Sequence, residues 1–380
     1  MLIKFILENY CSFKEENIVS LETGEDKASE NDLPAANILG VKGANASGKT
    51  SLLKALTLLK LLIVKNRAKD EKIPVKGFFD SSQPTLFKCI LLFSGVYYRY
   101  EFKFDKEQIY YESLDRKVLR WSNIFKRDHD NNVSAITDYK ILEKISYHKN
   151  SSVIATLNKM KYFQSLEGFP EIYAWFDYML TNISVEEGTI SFLYDYKNIS
   201  RLYHIFQKEP LFLETKRILK ECDLGIKDIE IKSDLDMQGE RFYYPVFTHE
   251  YESKEYEIAY HEESQGVKQL YVMLGMYNLI ISQQACAVVD EFDLHLHPNL
   301  ISKITGLFDK AGERGNKAQL IFTTHDTQIL DVLGKNRVVF VNKEDNESYC
   351  YRLDEIPSIR NDRSMIPLYK KGLIGGVPKV

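Results

Sequence analysis

One eight-residue run constrains this chain more than any other feature: Gly43-Ala44-Asn45-Ala46-Ser47-Gly48-Lys49-Thr50. Before it, Asn37 to Lys42 reads as a buried strand, and after it Leu52, Leu53, Leu56, Leu59 and Ile63 recur at helical spacing. The run fits GxxxxGK[ST] and sits between strand and helix, as that pattern requires. Its glycines let the backbone wrap a phosphate chain, with N–H groups pointing inward at a helix N-terminus. Lys49 is then expected to reach the β- and γ-phosphates and the Thr50 hydroxyl to hold Mg²⁺. The bland alternative is a glycine turn that happens to precede a lysine, and the flanking strand and helix weigh against it.

The rest of the chain alternates in a way that suits such a loop. Leu2–Leu7 and Ile18–Glu22 read as short strands, and Thr85–Leu114 as a hairpin with further strand. From Val118 to Cys222 the pattern reads as helical and tyrosine-rich, and Ile226–Tyr260 as strands again. A helix (Gln265–Ser282), a strong apolar strand (Ala285–Val289), a helix (Asn299–Lys310), a strand (Ala318–Thr323), a short helix and a last strand (Arg337–Val341) follow. The expected class is α/β: a mixed, mainly parallel sheet with flanking helices and an inserted helical subdomain. The corresponding division is a head formed by 1–117 and 223–345, an insertion at 118–222, and a C-terminal tail at 346–380 packed on the head. At 380 residues the chain has ample length for one large domain with an insertion.

A net charge of -4 argues against a surface built wholly for nucleic acid, while leaving room for a local basic groove. Five scattered cysteines without a CxxC pair fit buried thiols in a reducing compartment, not a disulfide framework or zinc ribbon. Glu8, Glu15 and Glu16 follow the apolar start at once, which is no signal peptide, and the reading is a cytoplasmic protein.

Three further motifs carry chemistry. Ala287-Val288-Val289-Asp290-Glu291 is an apolar strand ending in two acids, which puts Asp290 at the carboxyl edge of the sheet as a magnesium ligand. Glu291 would then orient and deprotonate an attacking water. Ile321-Phe322-Thr323-Thr324-His325-Asp326 sets a histidine just past another apolar strand, within reach of a γ-phosphate or that water. Glu263-Ser264-Gln265-Gly266-Val267-Lys268 opens a helix with Ser-x-Gly. Ser264 makes a good N-cap, and the same helix N-terminus could receive a γ-phosphate presented by a second copy of the chain.

The order Ser-x-Gly, Asp-Glu, Leu296-His297-Pro298 and Thr-Thr-His resembles the ABC-type ATPase heads of the SMC and RecF group. Leu7-Glu8-Asn9-Tyr10-Cys11-Ser12-Phe13 looks like that group's first strand. More narrowly, Leu224-Gly225-Ile226 and the closing Gly372-Leu373-Ile374-Gly375-Gly376-Val377-Pro378 resemble the AAA-type, ABC-like ATPases of bacterial anti-phage systems of the AbiL and PARIS type. The resemblance covers roughly 1–115 and 223–380. It implies ATP on Gly43 to Ser51, Mg²⁺ at Thr50 and Asp290, Glu291 as general base and His325 as a switch histidine. Ser264 and Gly266 become the element supplied in trans, so that two ATP molecules lie between two protomers. It further implies slow ATP hydrolysis and a separate effector such as a nuclease. This chain departs from the pattern at Tyr10-Cys11, where Phe-Arg is usual, and at His297, where aspartate is usual. Gln83 is the nearest candidate for a magnesium-sensing glutamine.

Two weaker features complete the reading. Asp293, His295 and His297 alternate like ligands on one face of a strand, although such loop imidazoles seldom form a metal site. Arg116, Lys117, Arg120, Lys126 and Arg127 surround Trp121 on an expected helix, where a solvated face competes with nucleic-acid binding. Besides the hydrolysing switch, the readings open at this point are an ATP-stabilised scaffold with little turnover and a RecF-like repair ATPase.

Overall fold

The computed structural model describes residues 1–23, 33–79, 81–190, 195–205, 210–222, 225–293, 298–356 and 364–376. In chain order, β1 (Leu2–Glu8) and β2 (Asn17–Ser20) precede β3 (Ile38–Lys42) and α1 (Lys49–Val64). The next five strands are β4 (Thr85–Phe93), β5 (Val96–Phe104), β6 (Ile109–Lys117), β7 (Trp121–Arg127) and β8 (Val133–Ala135). Then come α2 (Val153–Leu157), α3 (Phe169–Asp177), β9 (Leu180–Thr181), the small hairpin β10 (Ile183–Ser184) and β11 (Gly188–Thr189), α4 (Tyr196–Ile205) and α5 (Pro210–Cys222). A three-stranded sheet follows from β12 (Ile226–Leu235), β13 (Arg241–Tyr251) and β14 (Lys254–Ala259). The chain closes with α6 (Gln265–Ser282), β15 (Cys286–Val289), α7 (Pro298–Glu313), β16 (Gln319–Thr323), α8 (Ile329–Leu333), β17 (Val338–Glu344), β18 (Glu347–Arg352) and α9 (Ile366–Lys370).

The central sheet runs β18-β17-β3-β16-β15-β9, parallel except for the β17–β18 pair. Its inner strands β3, β15 and β16 are buried without alternation because both faces are covered. Successive side chains then go to different cores. Leu39, Val41, Cys286, Val288, Ile321, Val339 and Val341 join one cluster. Ile38, Ala287, Val289, Leu320, Phe322, Val338 and Phe340 join the other. This is the two-residue period of a strand read on both sides at once.

The first cluster also contains the leucines of α1 and the inner face of a seven-stranded antiparallel sheet, β2-β1-β4-β5-β6-β7-β8. There the alternation is plain: Tyr98, Tyr100, Phe102 and Phe104 of β5 are buried, while Tyr97, Arg99 and Glu101 between them are partly open to water. The second cluster lies under α6, which packs on α4, α5, α7 and β15. At the C-terminal end, Gly376 N donates to Asn342 Oδ1, and Tyr351 Oη donates to the Ile374 carbonyl, which ties the tail to β17 and β18.

The helical reading of 118–222 fails over its first part. Residues 121–127 and 133–135 are strands of the antiparallel sheet, and the basic cluster around Trp121 lies on two strands and their turn. Alternating strand geometry then disperses the five cations. Arg127 is wholly buried against Glu112 at 3.1 Å, and Arg116 pairs with Glu167 at 3.0 Å. Of the five cysteines expected to be buried, Cys89 and Cys286 are buried, Cys11 and Cys350 partly so, and Cys222 is exposed. No helix among the described residues is long and apolar enough to cross a membrane.

Candidate functional site

The phosphate loop leaves β3 and enters α1 through a tight curve. A side chain at Gly43 would put its Cβ 2.2 Å from the Val341 carbonyl, so only glycine lets β3 leave its neighbour there. Gly48 has φ +112°, a left-handed conformation that L side chains resist, and a Cβ there would meet Ser348 Oγ at 2.6 Å. Ala46 is also left-handed at φ 62°. Ser348 in turn lies 2.6 Å from the Ser47 carbonyl and 2.7 Å from Ser12 Oγ, bracing the loop from outside. Asn45 and Ala46 are exposed at the tip, Ala44 is half-buried, and Ser51 lies in the first turn of α1 beside the Cys11 thiol.

Two observations show that this loop fits a phosphate group. The buried Ser47 Oγ has no hydrogen-bond partner among the described residues. The Lys49 ammonium folds across the loop and donates to the Gly43 and Ala44 carbonyls at 2.8 and 2.9 Å, with no carboxylate bound directly. Burial pulls its pKa down, opposed by the fields of Asp290, Glu291 and Asp293. An oxyanion in the loop would satisfy both groups.

Opposite the loop, Asp290 is 2% exposed at the end of β15. Thr50 Oγ1 donates to its Oδ2 at 2.8 Å, Thr189 Oγ1 to the same oxygen at 2.6 Å, and Thr323 Oγ1 to Oδ1 at 2.5 Å. Asn182 brackets the backbone, donating to the Asp290 carbonyl at 2.9 Å and accepting from its N–H at 2.8 Å. Among the described residues the carboxylate is thus held by three neutral donors and bonded by no cation, which leaves its negative charge available to a metal. Thr50 and Asp290, the two expected magnesium ligands, do lie in direct contact.

Glu291 follows with φ 50°, a left-handed turn that a non-glycine residue seldom adopts, and it is exposed. Its N–H donates to Thr323 Oγ1 at 2.8 Å, so the strand that carries Thr323 fixes both acids. His325, exposed two residues on, donates its backbone N–H to the Asp293 carboxylate at 3.0 Å. Lys42, 2% exposed at the end of β3, anchors the same turn from below by donating to the His325 and Asp326 carbonyls at 2.9 and 3.2 Å. The face of Tyr369 from α9 covers that ammonium at 4.9 Å. Lys49 and Thr50 at the start of α1, and Asp290, Glu291 and His325 just past β15 and β16, therefore gather at one edge of the central sheet.

Ser264 and Gly266 stand apart from this group. Ser264 Oγ caps α6 by accepting from Val267 N at 3.3 Å, and its own N–H donates to Glu263 Oε2 at 3.0 Å. Both residues are exposed, and a side chain at Gly266 would meet nothing within 4 Å. Among the described residues no hydrogen bond joins either of them to 43–51 or to Asp290.

Asn182 and Thr189 escape a sequence reading, since nothing in Thr181-Asn182-Ile183 or Gly188-Thr189 resembles a motif. A polar residue directly after the short strand β9, which pairs with the strand of the two acids, would have been the only cue. Gln83 is exposed beside β4, and its carbonyl accepts from Asn9 Nδ2. Tyr10, by contrast, is buried edge-on against Phe87, which accounts for an aromatic residue there. Asp293 serves His325, His295 and His297 lie outside the described residues, and no group of three metal-ligating side chains occurs among those described. Leu224, Leu296, Val377 and Pro378 also lie outside them.

Comparison with solved structures finds the SMC head domain from Thermotoga maritima, with a TM-score of 0.45 and 11% identity over 92% of this chain and 98% of that one. It also finds an SmcHead bound to the C-winged helix domain of ScpA (TM-score 0.46, 14% identity, 93% and 98% covered). A third is an Smc head with an extended coiled coil bound to the C-terminal domain of ScpA from Pyrococcus furiosus (0.41, 13%, 93% and 96%). Values this low decide nothing about the present chain. No curated protein matches it. The family described as "AAA domain, putative AbiEii toxin, Type IV TA system" matches residues 38–331, well over half of the chain, from β3 to α8. With the phosphate loop between β3 and α1 and two acids following a strand of a mainly parallel sheet, the fold is a mixed α/β P-loop ATPase fold. The chain belongs to the family described as "AAA domain, putative AbiEii toxin, Type IV TA system".

Proposed function

We propose that this chain is an ATP-hydrolysing switch whose nucleotide site is completed by a second copy of the chain, so that two copies enclose two nucleotides. The observation that carries the reading is the Asp290 corner: a buried carboxylate gripped only by neutral donors, touching Thr50 of the phosphate loop, with an exposed Glu291 beside it. Magnesium bound to Thr50 Oγ1 and Asp290 would neutralise phosphate charge at this corner. Residues 43–51 bind the triphosphate, with Lys49 transferring its ammonium from the loop carbonyls to phosphate oxygens. Glu291 accepts the proton of the attacking water, and His325 orients that water from the neighbouring turn. Ser264 and Gly266 of the second copy offer a spare helix N-terminus to the γ-phosphate, which would exclude water and sense the nucleotide. Their exposure and lack of any tie to their own loop support that assignment.

In this reading the hairpin β10–β11, tied to Asp290 through Asn182 and Thr189, carries the state of the site into the inserted segment. The family's printed description supports a role in a toxin–antitoxin system, and the narrower likeness to AbiL and PARIS ATPases points to anti-phage defence with a separate effector. Glu291→Gln is the test: the variant should bind ATP, accumulate as an ATP-dependent dimer and lose turnover by roughly 10²–10⁴. Parent-like turnover would remove Glu291 as the base. An ATP-dependent dimer with no turnover in the parent would leave a scaffold in place of a switch.

A further inference from the structure

A second charged site lies at the far end of α1. Arg67 follows that helix and is 2% exposed, yet its Nε and Nη1 have no hydrogen-bond partner among the described residues. The backbone around it is firmly held: Arg67 N donates to Ser151 Oγ at 2.7 Å, and its carbonyl lies 3.0 Å from His148 Nδ1. The side chain lines a cavity of about 220 Å³, with Lys65, Lys72, Glu71, Ser184 and Glu186 around it.

The carboxylates around this cavity are engaged elsewhere or open to water, and none hydrogen-bonds the Arg67 guanidinium among the described residues. Glu71 is bound to Lys65 at 2.5 Å, Lys72 pairs with Glu107 at 2.9 Å, and Glu186 is exposed. Burial pulls the Arg67 guanidinium down, and Glu71 offsets only part of that. The other deeply buried arginine of this sheet domain, Arg127, has the Glu112 carboxylate. Buried donor nitrogens without a hydrogen-bond partner are costly, and planar N–H donors match oxyanions in pairs. The volume falls below the roughly 300–1,000 Å³ of pockets for drug-sized ligands, which suits a small anion and excludes a whole nucleotide.

We propose that this cavity binds a small oxyanion of the phosphate class, held by Arg67 with Lys65 and Lys72 at its rim, and that occupancy steadies the grip on Asp290. The link is short. Ser184 belongs to β10, Asn182 lies just before that strand, and Thr189 ends β11 against Asp290 Oδ2. The binding half of the proposal stands on the cavity alone, while the coupling half rests on the nucleotide reading of Asp290.

Inorganic phosphate is the probe, and its binding to the phosphate loop must first be removed. In full-length Lys49→Ala protein, calorimetry and thermal unfolding at matched ionic strength should show saturable phosphate binding. Adding Arg67→Met should weaken it at least about tenfold, the usual worth of a charged hydrogen bond. Absence of phosphate binding in the Lys49→Ala chain, or equal binding with and without Arg67, overturns the proposal. Should Arg67→Met fail to fold, Lys65→Met with Lys72→Met, both at exposed positions, must weaken phosphate binding several-fold, and unchanged binding overturns it. Failure of the nucleotide reading has a different signature: the Lys49→Ala chain would bind ATP like the parent.

Discussion

Asp290 and Arg67 are buried to the same extent, 2% exposed, and their surroundings are opposite. The carboxylate receives three side-chain hydrogen bonds, and its backbone is clasped by Asn182. The guanidinium keeps two nitrogens without a partner. One site is organised in advance, with its charge oriented before any ligand arrives. The other is an arginine that waits for an anion. Both flank the hairpin β10–β11, one at its base and one at its outer side, so the difference identifies that hairpin as the element through which the two sites would communicate.

The largest effect expected is on the organised side. Lys49→Ala removes the only ammonium in the loop and should abolish nucleotide binding or reduce turnover to background, measured by ATP titration and phosphate release. Glu291→Gln, as set out above, should cost roughly 10²–10⁴ in turnover while nucleotide binding persists. Asn182→Ala and Thr189→Val attack the grip on Asp290 without touching its charge. Each should reduce turnover or magnesium affinity by about 10–100-fold, read from rates across a Mg²⁺ titration. Parent-like rates would mean that Asp290 needs no support from the hairpin, and the contrast with Arg67 would lose its functional meaning.

On the unsatisfied side the sign reverses. Without phosphate, Arg67→Met should leave stability unchanged or raise it in urea unfolding, because a buried cation with two unpartnered nitrogens is removed. A marked loss of stability would show that Arg67 is already paired in the free protein. The smallest effect concerns Lys42, whose ammonium burial pulls down from 10.5 to about 8 against Asp293 and Asp326. The unfolded chain then binds more protons than the folded one between those values, so this group adds stability as pH rises from about 8 toward 10.5. Lys42→Met should flatten that part of the stability–pH curve.

The readable part of the site is the part made locally. Gly43, Gly48, Lys49 and Thr50 act within one turn of backbone, and Asp290-Glu291 needs only an apolar strand before it, so a few neighbouring residues suffice. Asn182 and Thr189 lie 108 and 101 residues before Asp290, and they are ordinary neutral residues in an unremarkable stretch. The error at Trp121 has the same origin. Five cations close in sequence resemble one face until strand pairing sends Arg127 inward to Glu112 and leaves Arg116 outside with Glu167.

By itself the amino-acid order determined that a phosphate loop hangs between a strand and a helix, that two acids end a second apolar strand, and that a capped helix opens with Ser-x-Gly. Those are short-range consequences of backbone freedom at glycine and of hydrophobic period. Only the tertiary structure decided which neutral side chains hold Asp290, that Lys42 underpins the His325 turn, and that two nitrogens of the Arg67 guanidinium are buried without a hydrogen-bond partner among the described residues. Each of these depends on long-range pairing of strands and on which charges end up beyond the reach of water, and neither property is encoded in any one stretch of the chain.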